Sequence, residues 1–125
     1  MSLIPIKKKA AGNRPQRAIY LSDILPQSFI QSILTLNNQS INDDAHGLIQ
    51  NVLNGGHIDL YWDMAVSQSD TFYLESNTNI IVSEGKGSVL RNGVNKPMFR
   101  NKNLVWGDHD NIIDKNISVS GGIWN

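Results

Sequence analysis

Asn79-Ile80-Ile81-Val82-Ser83-Glu84-Gly85 and Asn116-Ile117-Ser118-Val119-Ser120-Gly121-Gly122 share the pattern Asn-Ile-x-Val-Ser-x-Gly, with the second copy 37 residues after the first. Self-similarity at about 20–45 residues marks architectures in which each unit buries its apolar face on the next. Within a copy, Ile80 and Val82, or Ile117 and Val119, fall on one side of a strand because strand side chains alternate. Asn ahead of each strand suits a sharp, left-handed corner, and Gly after it permits positive φ at the next. Short strands with such corners suit a coil of parallel strands better than a meander. Asn92-Gly93 is the one hairpin-type dipeptide between runs, and it serves equally as a coil turn.

Upstream of the first copy, Thr71 to Leu74 reads as a short strand, with Glu75 to Thr78 as its corner. His57 to Val66 alternates, with Ile58, Leu60, Trp62, Met64 and Val66 on one face and Asp59, Tyr61, Asp63 and Ala65 on the other. That pattern predicts a single strand with one buried side. Before it, Ala45, Leu48, Ile49, Val52 and Leu53 follow helical spacing. Asn42 or Asp43 is available to cap that helix, and Asn54-Gly55-Gly56 stops it. A stack of coils has a raw apolar end, so residues 43–53 are expected to lie across it as a cap, with an ordinary packing helix as the alternative.

Nearer the N-terminus, Ser22-Asp23 and Pro26 mark a helix start, with Leu25, Phe29, Ile33 and Leu36 at helical spacing. Residues 1–20 carry Lys7, Lys8, Lys9, Arg14 and Arg17 and no acid, with Gly12 and Pro15 as interruptions. They read as an extended arm that docks on a larger assembly or an acidic surface, or else as a solvated terminus. The division expected is 1–40, attachment arm and short helix, and 41–125, capping helix and first coils.

The chain has 125 residues, zero formal net charge, 40% apolar residues and no cysteine. Those numbers fit one domain or part of one, exclude disulfides and thiolate metal sites, and offer no general attraction for nucleic acid. No apolar run is long enough to span a membrane, and the basic N-terminus lacks the apolar core of a secretory signal.

The ordered series formed by residues 48–53, Gly55-Gly56, the strands around Leu60 and Tyr73-Leu74, residues 76–80, residues 84–90 and residues 116–125 resembles the opening of the pectate-lyase-like superfamily. The resemblance covers residues 43–125 and departs at Asp59 to Ser69, which lacks the Pro-Gly-Thr-Tyr type of turn. It implies a mostly β chain with N-terminal helices, beginning a right-handed parallel β-helix. Within that superfamily the phage tailspike branch fits best, since tailspikes act outside cells without a secretion signal and carry a short virion-docking region. The resemblance implies a homotrimer that is part of the virion, with phage tail or baseplate proteins and bacterial surface polysaccharide as partners. It implies depolymerase activity, by hydrolysis or elimination, on later coils, so no catalytic residue carries over and this segment alone is expected to cleave nothing. The alternatives are part of a bacterial polygalacturonase-like glycosidase and a small structural adaptor complete at this length.

Candidate chemistry is sparse. Asp108 and Asp110 flank His109 near Trp106; extended, the two carboxylates would share a face about 6.5–7 Å apart, beside a ring able to stack on sugar. Gly107 and the polar neighbours favour a hydrated loop instead. Asp59 and Asp63 read as a solvated face around Tyr61. His46 and His57 lack further ligands, so neither a metal nor another cofactor is expected. Glu84-Gly85-Lys86-Gly87-Ser88 lacks the spacing of a phosphate loop and reads as a glycine-rich corner. Trp62 and Trp124 lie in strand patterns and read as core or interface.

Overall fold

Three residues that are not glycine hold positive φ at equivalent corners: His57 (52°), Asn77 (62°) and Asn116 (60°). The computed structural model that reveals this column describes residues 15–26, 44–91, 93–103 and 113–124. Those residues are mostly strand with few helices. In chain order they form β1 (Arg17–Tyr20), α1 (Leu21–Ile24), α2 (His46–Leu53), β2 (Ile58–Trp62), β3 (Ala65–Gln68), β4 (Phe72–Leu74) and β5 (Thr78–Val82). Next come β6 (Gly87–Leu90), β7 (Phe99–Asn101), β8 (Ile117–Ser120) and β9 (Ile123–Trp124). Every named pairing is parallel: β1-β2-β5-β8 in a first sheet, β3-β6-β9 in a second and β4-β7 in a third. The chain therefore passes through the sheets in the same order on successive rounds, which supplies the long connections that parallel strands require.

The corner column sets the register. Asn77 N–H donates to Lys115 O (2.8 Å) and His57 N–H to Ser76 O (3.1 Å), while Asn116 Nδ2 donates to Asn77 Oδ1 (3.0 Å). Thr78 consequently faces Ile117, and Ile80 faces Val119. The sequence repeat aligned Ile80 with Ile117, so the structural offset is 39 residues where the letters matched at 37. A slip of two leaves each side chain on its face, because the strand period is two. The left-handed asparagine ahead of β5 is thus Asn77, two residues before the first copy begins, and not Asn79. Asn77→Ala, which puts an ordinary side chain in the left-handed region and removes the bond to Asn116, is expected to cost about 1–2 kcal/mol. Urea unfolding checks this; an unchanged midpoint would mean that the corner is not held this way.

The predicted strand over 57–66 is two strands. The chain turns at Asp63 and Met64, so that Ile58, Leu60 and Trp62 enter the core from the first sheet, and Val66 from the second. Ala65, expected to face out, is buried with Val89, and Ile123 packs against them. Alternation survives the turn but no longer distinguishes core from solvent, since β3 is buried at all four positions. Trp62 lies at the centre, edge-on to Phe72, Phe99 and Trp124 at ring-centroid distances of 5.6, 6.4 and 5.2 Å. Its Nε1 donates to Gly87 O (3.0 Å), satisfying the one polar atom that burial of the indole would otherwise strand.

Just ahead of helix α2, Asp44 accepts from His46 N–H through Oδ1 (3.1 Å); Asn42 and Asp43, the caps expected from the sequence, lie outside the described residues. It buries Ile49 and Leu53. Gln50 donates to Tyr73 O (2.9 Å) and accepts from Tyr73 N–H (2.8 Å), so one side-chain amide does for the edge of β4 what a neighbouring strand would do. Gln50→Ala is expected to cost about 1–3 kcal/mol, because both backbone groups lose their partner, and to accelerate hydrogen exchange at Tyr73. The N-terminal arm also needs correction: Arg17–Tyr20 is a strand paired with β2. The helix expected from Ser22 onward starts at Leu21 and ends at Ile24, before Pro26; Phe29, Ile33 and Leu36 lie outside the described residues.

Candidate functional site

Parallel pairing brings together side chains that are 20 to 43 residues apart on the outer face of the first sheet. Tyr20 on β1 stacks on Tyr61 on β2, with centroids 4.7 Å apart and planes at 17°. Beside the pair runs a ladder of side-chain hydrogen bonds. Gln16 Nε2 (3.2 Å) and Asn79 Nδ2 (2.8 Å) donate to Asp59 Oδ1, and Ser118 Oγ donates to Asn79 Oδ1 (2.9 Å). At the other end of Tyr61, Asp63 accepts from Ser22 N–H (3.0 Å) and Ser22 Oγ (2.6 Å). Tyr20 and Ile81 are among the exposed large apolar residues. The face thus presents two oriented carboxylates with an aromatic pair between them. It suits cations and hydrogen-bonding ligands better than anions.

A second cluster surrounds the start of α2. Asp44 accepts from Ser69 N–H (3.0 Å) and from Ser69 Oγ. The His46 ring stacks on Phe72 and its Nε2 bonds Thr71 O (2.8 Å). Serine, histidine and aspartate therefore converge here, yet the imidazole is bonded to a backbone carbonyl and not to the Ser69 hydroxyl. The histidine is not bonded to the serine as a catalytic base would be, and the cluster joins the start of α2 to the end of β3. Next to it, Asp70 accepts from Thr71 N–H (2.7 Å) and pairs with Lys96 (3.1 Å). The Thr71 amide first, and the Lys96 ammonium second, hold its carboxyl below the ordinary aspartate range. Any stability it contributes is therefore complete above the unfolded value and disappears as pH falls through the folded one. Lys96→Ala should move the Asp70 carboxyl midpoint upward by NMR titration yet leave it depressed, since the amide remains.

Of the residues singled out in the sequence, Trp106, Asp108, Asp110, Lys7, Lys8, Lys9 and Arg14 lie outside the described residues. Among the described residues on either side of the first three, Asp114 is buried and accepts from Asn103 N–H (2.8 Å) and Nδ2 (2.9 Å). Arg17, assigned to the docking arm, bonds Val52 O and Gly56 O (both 3.0 Å), the open carbonyls at the end of α2. Its charge serves the fold. The Glu84-Gly85 corner is a turn closed by Lys86 N–H on Ser83 O (3.0 Å), and Trp62 is core, as expected. No group of three or more metal-ligating side chains gathers among the described residues. Tyr20 and its stack on Tyr61 escaped the sequence reading. Only the β1–β2 register brings them together, although Tyr61 between two aspartates was visible.

Comparison of the chain with protein families, with curated proteins and with solved structures finds no match.

Proposed function

We propose that the chain is the N-terminal region of a phage tailspike, in which the three parallel sheets begin a right-handed parallel β-helix and the basic N-terminal segment attaches the spike to the virion. The observation that carries this reading is the parallel register itself: the same three sheets are entered in the same order, with a left-handed corner before each strand from β2 to β5 to β8. Two features agree with it. At one end of the stack, Gln50 and Arg17 tie α2 to the sheets. At the other, Val119 is 38% exposed while Ile117, Ile123 and Trp124 are half-buried, in line with residues that are fully buried a round earlier. Further rungs would complete that end, and polysaccharide binding and cleavage would belong to them. The spike would act outside the cell as a homotrimer.

The test is deletion of residues 1–14 from the spike in its phage. Trimers should form, while particles lose the spike and fail to adsorb; normal incorporation would overturn the attachment role. The polygalacturonase-like alternative expects the N-terminal residues to support the fold. One observation favours it for residues 17–25: β1 pairs with β2, and Leu21 and Leu25 belong to the core. Deletion of residues 1–26 should therefore destabilise the chain, whereas deletion of 1–14 separates the two readings. The chain spanning residues 1–125 should release no reducing or unsaturated ends from bacterial surface polysaccharide.

A further inference from the structure

The outer face of the first sheet has charge and apolar surface but no cation. Its side chains are Gln16, Ala18, Tyr20, Asp59, Tyr61, Asp63, Asn79, Ile81, Ser118 and Ser120, two of them acids and none lysine or arginine. Neighbouring side chains donate hydrogen bonds to both carboxylates, which orients them without neutralising them. Tyr20 is 47% exposed and Ile81 36%, so the apolar strip between the acids is open. Such a surface attracts a cationic chain with methylene stems, because ammonium and guanidinium groups favour both carboxylates and ring faces.

We infer that this face docks residues 1–14 of the same chain through Lys7, Lys8, Lys9 and Arg14. Those residues contain four cations and no acid, so the charges are complementary. The second argument is the point of attachment. Gln16, the second residue after Arg14, is fixed on this face: its Nε2 donates to Asp59 Oδ1 (3.2 Å) and to Asn77 O (2.8 Å). The segment therefore leaves the frame beside Asp59. Seven residues from Gln16 back to Lys9 reach up to about 23–25 Å, whereas Asp63 lies only about 13 Å along the strand from Asp59. Tethering makes the contact intramolecular, so individually weak exposed pairs suffice at the effective concentration of a short linker. The segment read as a docking arm thus has a resting place on its own sheet, from which a stronger acidic partner would have to displace it.

The absence of cysteine makes the test direct. A nitroxide placed on Ala10→Cys, which leaves every charge intact, reports by paramagnetic broadening of backbone amides in the full chain. At low salt the amides of Tyr20, Asp59, Tyr61 and Asn79 should lose roughly half their intensity or more and recover it at 1 M salt, where the Debye length falls to about 3 Å. Recovery at low salt is also expected in Asp59→Asn/Asp63→Asn. It is expected again in Lys7→Glu/Lys8→Glu/Lys9→Glu, which changes no residue of β1, β2, β5 or β8. Broadening elsewhere, broadening indifferent to salt and to both variants, or no broadening would overturn the inference. So would broadening that appears only between spin-labelled and isotope-labelled molecules mixed together, which would assign the face to a second copy. The virion experiment fails separately: a segment can rest on this sheet whether or not it also carries the spike to the particle.

Discussion

Gly56→Ala is expected to cost about 2–6 kcal/mol, from left-handed strain and overpacking of about 1–3 kcal/mol each. Gly56 has φ 64°, and a Cβ there would stand 2.1 Å from Ser76 O and 3.1 Å from Ser76 C. Neither contact is the tip of a flexible side chain. Ser76 O is the acceptor for His57 N–H, and Gly56 O receives the Arg17 guanidinium. Moving either peptide to admit a methyl group would loosen the end of α2 and the corner that sets β2 against β5. Gly85→Ala is the matched control: it has φ 75° with nothing within 4 Å of the added carbon. It should pay only the conformational part, about 1–2 kcal/mol. The difference between the two urea midpoints measures the steric part alone. Equal losses would mean that the approach of the α2 end to Ser76 is not as described.

Trp62→Ala should lower stability by about 3–5 kcal/mol and broaden the transition. The indole is fully buried and touches rings contributed by both other sheets: Phe72 and Phe99 from the third and Trp124 from the second. No neighbour can collapse into the space without breaking a parallel register, so most of the cavity would persist. Trp62→Phe separates the packing from the polar bond. It retains much of the ring volume but leaves Gly87 O without the indole N–H, and a loss of about 1–3 kcal/mol is expected. A substitution that left the melting temperature unchanged would contradict a core centred on this residue.

Parts of this architecture were legible locally. Helix 46–53 announced itself by the spacing of Ile49 and Leu53 and by the Asn54-Gly55-Gly56 stop, and β5 and β8 by the shared Asn-Ile-x-Val pattern. The candidate face was half legible: Tyr61 between Asp59 and Asp63 is a local pattern, but nothing near Tyr20 points to residue 61. Pro15 and the nearby cations suggested an arm where Arg17 to Tyr20 form a strand. The stabilising partner, β2, is 41 residues away, and no local signal encodes it.

By itself, then, the sequence determined periodicity: which residues alternate, which face of each strand is apolar, and where glycine and asparagine allow the chain to turn. Those are properties of single segments, governed by backbone sterics and side-chain polarity. Register and partnership were decided only by the tertiary structure. Matching letters placed Ile80 on Ile117, yet backbone hydrogen bonds at the Asn77–Asn116 corner place it on Val119. Either alignment buries the same faces, so hydrophobicity cannot choose between them; the geometry of the left-handed corner does.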